Sequence, residues 1–378
     1  MKVIKYLLII ILLMTMFLGL NSKKYDYFPE RYSDEEQIKY VINHYFMLRY
    51  EGQKNLQFND FSYLIADWID ETNEWTKTEI EKREIEQYLA KLYDLSYEMY
   101  DYKLDYKDFH YMLNNKKVVV TLLENHDVTF KAISPQVSSL ANREHFISLR
   151  KKKGIWKISF NQYNSEFSQL LKDYSKNEII NRIDKNKKTE LINIKKWRKS
   201  KNKISEKKSE EIQKYNRKKA VIYANQYWKN YNRIFYDFPK NDCTNYVSQI
   251  LLAGGAPTDK SGQYQWFLDN MDNPGVSYSY SWAVVQDLYY YLVKNYWTGP
   301  CGKKSTLCEM EAGDIIQFYS ISKGWLHSII VVKAPKITNC GESLHYLINS
   351  HDSDRKNYPL AYFGAHRKRF IHVEGWYK

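Results

Sequence analysis

The stretch Asn241-Asp242-Cys243-Thr244-Asn245-Tyr246-Val247-Ser248-Gln249 decides how the second half of this chain is read. A turn-forming Asn-Asp pair precedes one cysteine. Tyr246, Val247, Ile250 and Leu251 then recur at helical spacing until Gly254-Gly255 stops the pattern. Cys243 is therefore expected at a helix N-terminus, where unpaired backbone N–H groups and the positive end of the helix dipole favour thiolate. A lone cysteine is most often simply buried. What sets this one apart is the pattern that follows it.

From Gly313 onward the sequence alternates like β-structure over 314–319, 325–333, 344–351 and 370–376. His327 shares a strand face with Ile329 and Val331, while Leu347, Asn349 and His351 share a face of the next strand. A thiol hydrolase needs a base that takes the thiol proton and then protonates the leaving amine. A third group must hold the imidazole in its working tautomer. Cys243 as nucleophile, His327 as base and His351 as orienting residue fill these roles, with Asn349 the alternative for the third. Asp242, Asp314, Asp352, Asp354 and Arg355 read as turn, cap and local ion-pair residues, and Trp282 and Trp325 as core or groove-wall aromatics.

Several separated motifs keep one order. Tyr215-Asn216-Arg217 and Tyr223-Ala224 come first, then Asp242 to Gln249, Ala253-Gly254-Gly255, Ser281-Trp282 and Gly313-Asp314-Ile315-Ile316. The His327-Ser328 pair and His351-x-x-Asp354-Arg355 with Pro359-Leu360 follow. This pattern resembles the putative amidase domain of exported bacterial proteins, over most of residues 213–378. That family is similar to the NlpC and CHAP groups. The resemblance implies a papain-like cysteine hydrolase that cuts amide bonds in peptidoglycan peptides or related substrates, with Cys243 as nucleophile and His327 as base. The third position falls on the next strand, where His351 matches best.

Working outward, Ser281 is expected to cap a helix burying Val285, Leu288, Tyr289 and Leu292. Residues 165–212 are dominated by Lys, Asn, Glu and Ile without a sustained apolar face, and read as a solvated basic helical linker. In residues 30–164, Ser33 with Glu36 forms a capping box before a helix carrying Ile38, Val41, Ile42 and Tyr45. Further helical patterns cover about 60–68 and 78–97. Strand patterns cover 102–112, 117–133, 144–151 and 155–160, with turns at Asn114-Asn115 and Lys153-Gly154. Helices followed by a curled meander suggest an α+β cone, whose element order resembles the nuclear transport factor and cystatin-like families. His110, His126 and His145 read as partly exposed strand residues. The fold class is α+β, in two domains joined by the linker.

Residues 1–22 read as a signal peptide or short membrane anchor: Lys2 and Lys5 precede an almost wholly apolar run. The chain is therefore expected outside the cytoplasm, secreted or membrane-anchored. Its 378 residues are 44% hydrophobic, enough for two cores, and its net charge is +13. That charge suits an anionic wall polymer or membrane surface met through the basic linker, and export argues against nucleic acid. The four cysteines are Cys243, Cys301, Cys308 and Cys340. Cys301 and Cys308 lie close enough in sequence to close a small disulfide outside the cell. No cofactor is expected. No metal is expected either, because no C-x-x-C or Cys/His cluster at ligand spacing exists. The leading expectation is an exported cysteine amidase or peptidase acting on peptidoglycan. The alternatives are a non-catalytic wall-binding scaffold, or an acyl transferase using the same thioester.

Overall fold

Ser33 opens α1 (Asp34–Asn55) through a complete capping box: its hydroxyl accepts the Glu36 N–H and the Glu36 carboxylate accepts the Ser33 N–H. Ile38, Val41, Ile42 and Tyr45 are buried on one face, and Leu56 in the left-handed region stops the helix. In the computed structural model, residues 32–114, 116–200, 212–261, 264–269, 277–335 and 345–378 are described. Residues 1–22 and Cys340 lie outside them. Among the described residues no helix is long and apolar enough to cross a membrane.

The second helix differs from expectation at both ends. Only a single turn at Ser62–Leu64 forms where a helix was read over 60–68, and α2 runs Asp70–Tyr93. Asp94, with φ 53°, ends it, and Tyr97 belongs to the first strand instead. Strands β1 (Tyr97–Met112), β2 (Lys117–Phe130), β3 (Val137–Lys152) and β4 (Ile155–Tyr163) form an antiparallel meander. Positive φ at Asn114 and at Lys153-Gly154 makes its tight turns. Alternation puts Val118, Val120 and Leu122 into the core under α1.

His126 and His145 depart from their reading as partly exposed residues; only His110 is exposed. Glu124 is buried on the same strand as His126, and its carboxylate accepts from Tyr50 at 2.6 Å and meets His145 Nε2 at 3.0 Å. A buried carboxylate persists only with such partners. The segment read as a solvated linker also packs. α3 (Glu166–Asp173) and α4 (Lys176–Ser200) follow β4, and Ile179 and Ile183 of α4 are wholly buried in the main core. An isoleucine pair one turn apart was enough to dock a helix otherwise rich in lysine.

The remaining elements are β5 (Gln213–Lys214), α5 (Arg217–Gln226), α6 (Cys243–Ala253), a small hairpin of β6 (Leu268–Asp269) and β7 (Ser277–Tyr278), α7 (Tyr280–Ala283) and α8 (Val285–Lys294). Strands β8 (Gly299–Ser305), β9 (Ile315–Ser320), β10 (Gly324–Lys333), β11 (Leu347–Ser350), β12 (Asp354–Pro359) and β13 (Arg367–Tyr377) complete the chain. Val285, Leu288, Tyr289 and Leu292 of α8 are buried as their spacing predicts. Ser281 does not cap that helix; it sits inside α7 and donates to the Gln265 carbonyl.

The class is α+β, with helices packed on a large, mainly antiparallel sheet. Eleven strands form one sheet in the order β1-β2-β3-β12-β11-β10-β9-β13-β5, with β4 beside β3 and β8 beside β13. The join is β3 against β12, where Asp354, Arg355 and Lys356 pair with Ala141, Leu140 and Ser139. One face of β10 and β11 (Ile329, Val331, Ile348) shares a core with Val118 and Ile147 of the first meander. The other face (Ile330, Val332, Leu347) packs under Tyr246, Val247 and Ile250 of α6. Each fully buried α6 side chain contributes roughly 1.5–3 kcal/mol, so a charge at Ile250 would detach the helix. At its far end Gly254 lies against the Tyr215 ring, where an added Cβ would sit 1.9 Å from the ring carbon.

The Cys301–Cys308 disulfide that the sequence allows does not form: Cys301 is free and Cys308 is disulfide-bonded. Cys301 pairs with Gly375 within β8, and extended chain carries residue 305 about 13 Å from it before the Cys308 turn begins.

Candidate active site

Cys243 is the first residue of α6, with Asp242 before it, and its side chain is 5% exposed. Asp242 organises the loop that delivers it. The Asp242 Oδ1 accepts from Phe238 N at 3.1 Å and from Asn245 Nδ2 at 2.7 Å. Asn245 in turn donates to the Tyr236 carbonyl at 2.9 Å and accepts from the Trp282 indole at 2.6 Å. Behind the cysteine, Thr244 Oγ1 meets Ser328 Oγ at 3.1 Å, and Gln317 Nε2 donates to Ser328 Oγ at 3.0 Å. The residues Ser281-Trp282, read as motif, thus act through the indole that holds Asn245.

Two further groups meet the thiol. One ligand-capable atom each from Cys243, His327 and Asp352 lies within 4.8 Å of the other two. Asp352 follows the end of β11 in the left-handed region, φ 65°, and its carboxylate turns back to the start of α6. There it accepts the backbone N–H of Asp242 and that of Cys243, each at 2.9 Å. It was read from sequence as part of a local ion pair and turn; instead it stands in the candidate site. Its neighbours in that reading go elsewhere: Arg355 pairs with Glu166, and Asp354 accepts from Tyr231 at 2.9 Å and Asn142 at 3.0 Å.

His351 does not join this group. Its Nδ1 bonds Asp242 Oδ2 at 2.5 Å and its Nε2 bonds the Tyr227 carbonyl at 2.7 Å. The ring is sandwiched between Tyr231 and Tyr246, with centroids at 3.7 and 3.8 Å. Both nitrogens face oxygen acceptors, so neither is available to His327. Asn349 is also occupied: it donates to the Ala224 carbonyl and Asn225 Oδ1 and accepts from Asn357 N. Ile330 pairs with Asn349 and Val331 with Ile348, Ile330–Asn349 being the last pair on the side of the site. β11 stops at Ser350, and the turn that follows, with Asp352 at φ 65°, brings the Asp352 carboxylate to the head of α6.

Electrostatically the resting site is neutral at its reacting atoms. Burial, reinforced by the Asp352 carboxylate, pushes the Cys243 thiol up to about 12. Desolvation holds the His327 imidazole below its ordinary value, although Asp352 pulls the other way. Two features oppose the expected thiolate-favouring helix start: a carboxylate takes the Cys243 N–H, and burial pushes the thiol up. Asp314, read as a strand-start cap, is a buried hub for Arg217, His372 and Val373 that ties α5 to β13. The Cys243–His327–Asp352 group is also where a soft divalent cation could be held, since thiolate, imidazole and carboxylate are all zinc ligands.

Helix-borne cysteine, strand-borne histidine and a carboxylate at the strand end define a thiol-centred site on an α+β scaffold. Residues 214–373 match the family described as "Putative amidase domain". The match supports a hydrolase acting on amides. The chain is also 32% identical over 126 residues to "Uncharacterized protein YhbB" of Bacillus subtilis (strain 168), an alignment covering 32% of this chain and 38% of that protein. The chain thus spans well under half of that relative's length. No solved structure matches.

Proposed function

We propose that this chain is an exported, cysteine-dependent amidase of papain-like type that cuts amide bonds in cell-wall peptides. Cys243 is the nucleophile, His327 the base and Asp352 the residue that orients it. The approach of the Cys243, His327 and Asp352 polar atoms to within 4.8 Å carries this reading. His327 takes the thiol proton as sulfur bonds to the amide carbon. The imidazolium then gives that proton to the leaving nitrogen as the C–N bond breaks, leaving a thioester. His327 next takes a proton from water, whose oxygen attacks the thioester, and the proton returns to sulfur as the acid departs.

The Cys243 N–H suits the role of oxyanion donor, and for that the Asp352 carboxylate must leave it. A substrate carbonyl that displaces the carboxylate frees it to accept the remaining His327 N–H. One movement then supplies the oxyanion donor, removes the repulsion that keeps sulfur protonated, and fixes the base. The apolar run in residues 1–20 and the basic residues around 195–208 support action at the cell surface on an anionic wall.

Digestion of purified sacculi by the full chain, with released fragments identified by mass spectrometry, tests the reaction. New carboxylate and amine ends in equal number are expected. Cys243→Ala and His327→Ala should each abolish release, and the double variant should be no worse than either, because the two act as a unit. Turnover that survives Cys243→Ala removes the thiol mechanism.

A further inference from the structure

Beside α7 and α8 lies a cavity of about 500 Å³ whose wall is set by Tyr264, Tyr278, Tyr280 and Tyr290, with Asp287 and Lys294. Among the described residues no aliphatic side chain lines it; each carries a hydroxyl, an amide or a charge. Tyr280 is 73% and Tyr264 52% exposed. Among the described residues, none of the four phenol hydroxyls and neither oxygen of Asp287 has a hydrogen-bond or ion-pair partner. Lys294 stands over the Tyr290 ring at 5.1 Å.

We infer that this cavity is a binding subsite for a β-linked amino-sugar glycan. Pyranose rings offer apolar C–H faces for aromatic stacking and a rim of hydroxyl and acetamide groups for hydrogen bonds. A wall of aromatic faces with free phenol, carboxylate and ammonium tips matches both. The volume falls within the ordinary range of small-ligand sites. The charges disfavour other occupants: Asp287 and Lys294 cancel, so nothing here neutralises a phosphate backbone. An apolar peptide anchor would find no aliphatic wall among the described residues.

The cavity is coupled to the nucleophile loop. The Tyr278 ring packs edge-on to Phe238 at 4.8 Å, and Phe238 N–H donates to Asp242 Oδ1. Ser281, in the wall, precedes Trp282, whose indole holds Asn245. A glycan seated here would lie one aromatic side chain from the loop carrying Cys243, which suits a polymer whose peptides branch from its sugars. The choice of amino sugar rests on the wall-peptide reading; the sugar site itself does not.

Calorimetric titration of the full chain with chitotetraose tests this without turnover. Saturable binding is expected, weakened about tenfold by Tyr280→Ala or Tyr264→Ala, the loss of one aromatic contact. Tyr296→Ala, equally exposed at 73% but outside the cavity, should leave it unchanged. Weaker binding of cellotetraose supports recognition of the acetamide. Absence of saturable binding, equal affinity in Tyr280→Ala and Tyr264→Ala with circular dichroism unchanged, or displacement of chitotetraose by a tetra-alanine peptide would overturn the proposal. Rates on a sugar-free peptide amide should be unaffected in both tyrosine variants. Sugar binding absent while that rate depends on Cys243 sinks the subsite alone; sugar binding present with a rate indifferent to Cys243 sinks the amidase reading alone.

Discussion

The Asp352 carboxylate accepts the backbone N–H of Cys243 at 2.9 Å and stands beside that residue's own sulfur. A negative charge there occupies the donor that an oxyanion would use and disfavours the thiolate that would attack. The carboxylate thus caps the Cys243 N–H and works against ionisation of its thiol.

Removing that charge should separate thiol reactivity from catalysis. In Asp352→Asn the Cys243 thiol should titrate below the wild-type value of about 12, because a repelling neighbour is gone. Alkylation by iodoacetamide at pH 8 should therefore accelerate. Amide turnover should fall by about 10²-fold, since the base loses its orienting partner. Rates that fall together in both assays would remove the double role assigned to Asp352.

His351 should prove a scaffold residue for the nucleophile loop. His351→Ala empties the space between Tyr231 and Tyr246 and leaves Asp242 Oδ2 and the Tyr227 carbonyl without their donor. The expected loss is roughly 2–4 kcal/mol in urea unfolding. Activity should drop with the loop, and the pH of half-maximal rate should move up, because, besides burial, His351 is one of the groups that hold the His327 imidazole down. Wild-type stability and wild-type activity in His351→Ala would remove the scaffold role.

Asp354 should give the stability curve a falling limb. Burial raises its carboxyl from 3.8 to about 6, against hydrogen bonds from Asn142 and Tyr231. Between those values the folded chain holds a proton that the unfolded chain has released, so stability falls as pH rises from about 4 to 6 and is level above. The ionised form costs on the order of 3 kcal/mol at neutral pH. Asp354→Asn should gain most of that at pH 7 and little at pH 4, once Asn142 turns its amide. Equal gains at both values, by urea titration, would exclude the titration as the cause.

Zinc should inhibit. Cys243, His327 and Asp352 present sulfur, nitrogen and oxygen to one point, and a cation held there takes the electron pair that must attack. Inhibition by Zn²⁺ should be reversed by EDTA, be absent with Mg²⁺, and weaken in Asp352→Asn. Identical zinc sensitivity in that variant would place the inhibitory ion elsewhere.

Much of the site was legible because its signals are local. A turn, a cysteine and a run of helical period put Cys243 at the head of α6, and alternation put His327 on a strand, since both depend only on neighbours in sequence. The docking of α4 through Ile179 and Ile183, with Ile194 buried further along, does not show in the sequence because these isoleucines are spread among lysines and asparagines and give a weak period.

The amino-acid sequence by itself determined the α+β class, the helix that starts at Cys243, the strand that carries His327, and the candidate nucleophile and base. The tertiary structure alone decided which neighbour completes them. His351 and Asp352 are adjacent in the turn that follows β11, yet the left-handed backbone at Asp352 brings its carboxylate to the Cys243 N–H while His351 goes to Asp242. The same holds for the join of β3 to β12, where residues 139–141 meet 354–356 across more than two hundred positions. No local pattern encodes that register; it follows from how both faces of a continuous sheet are buried.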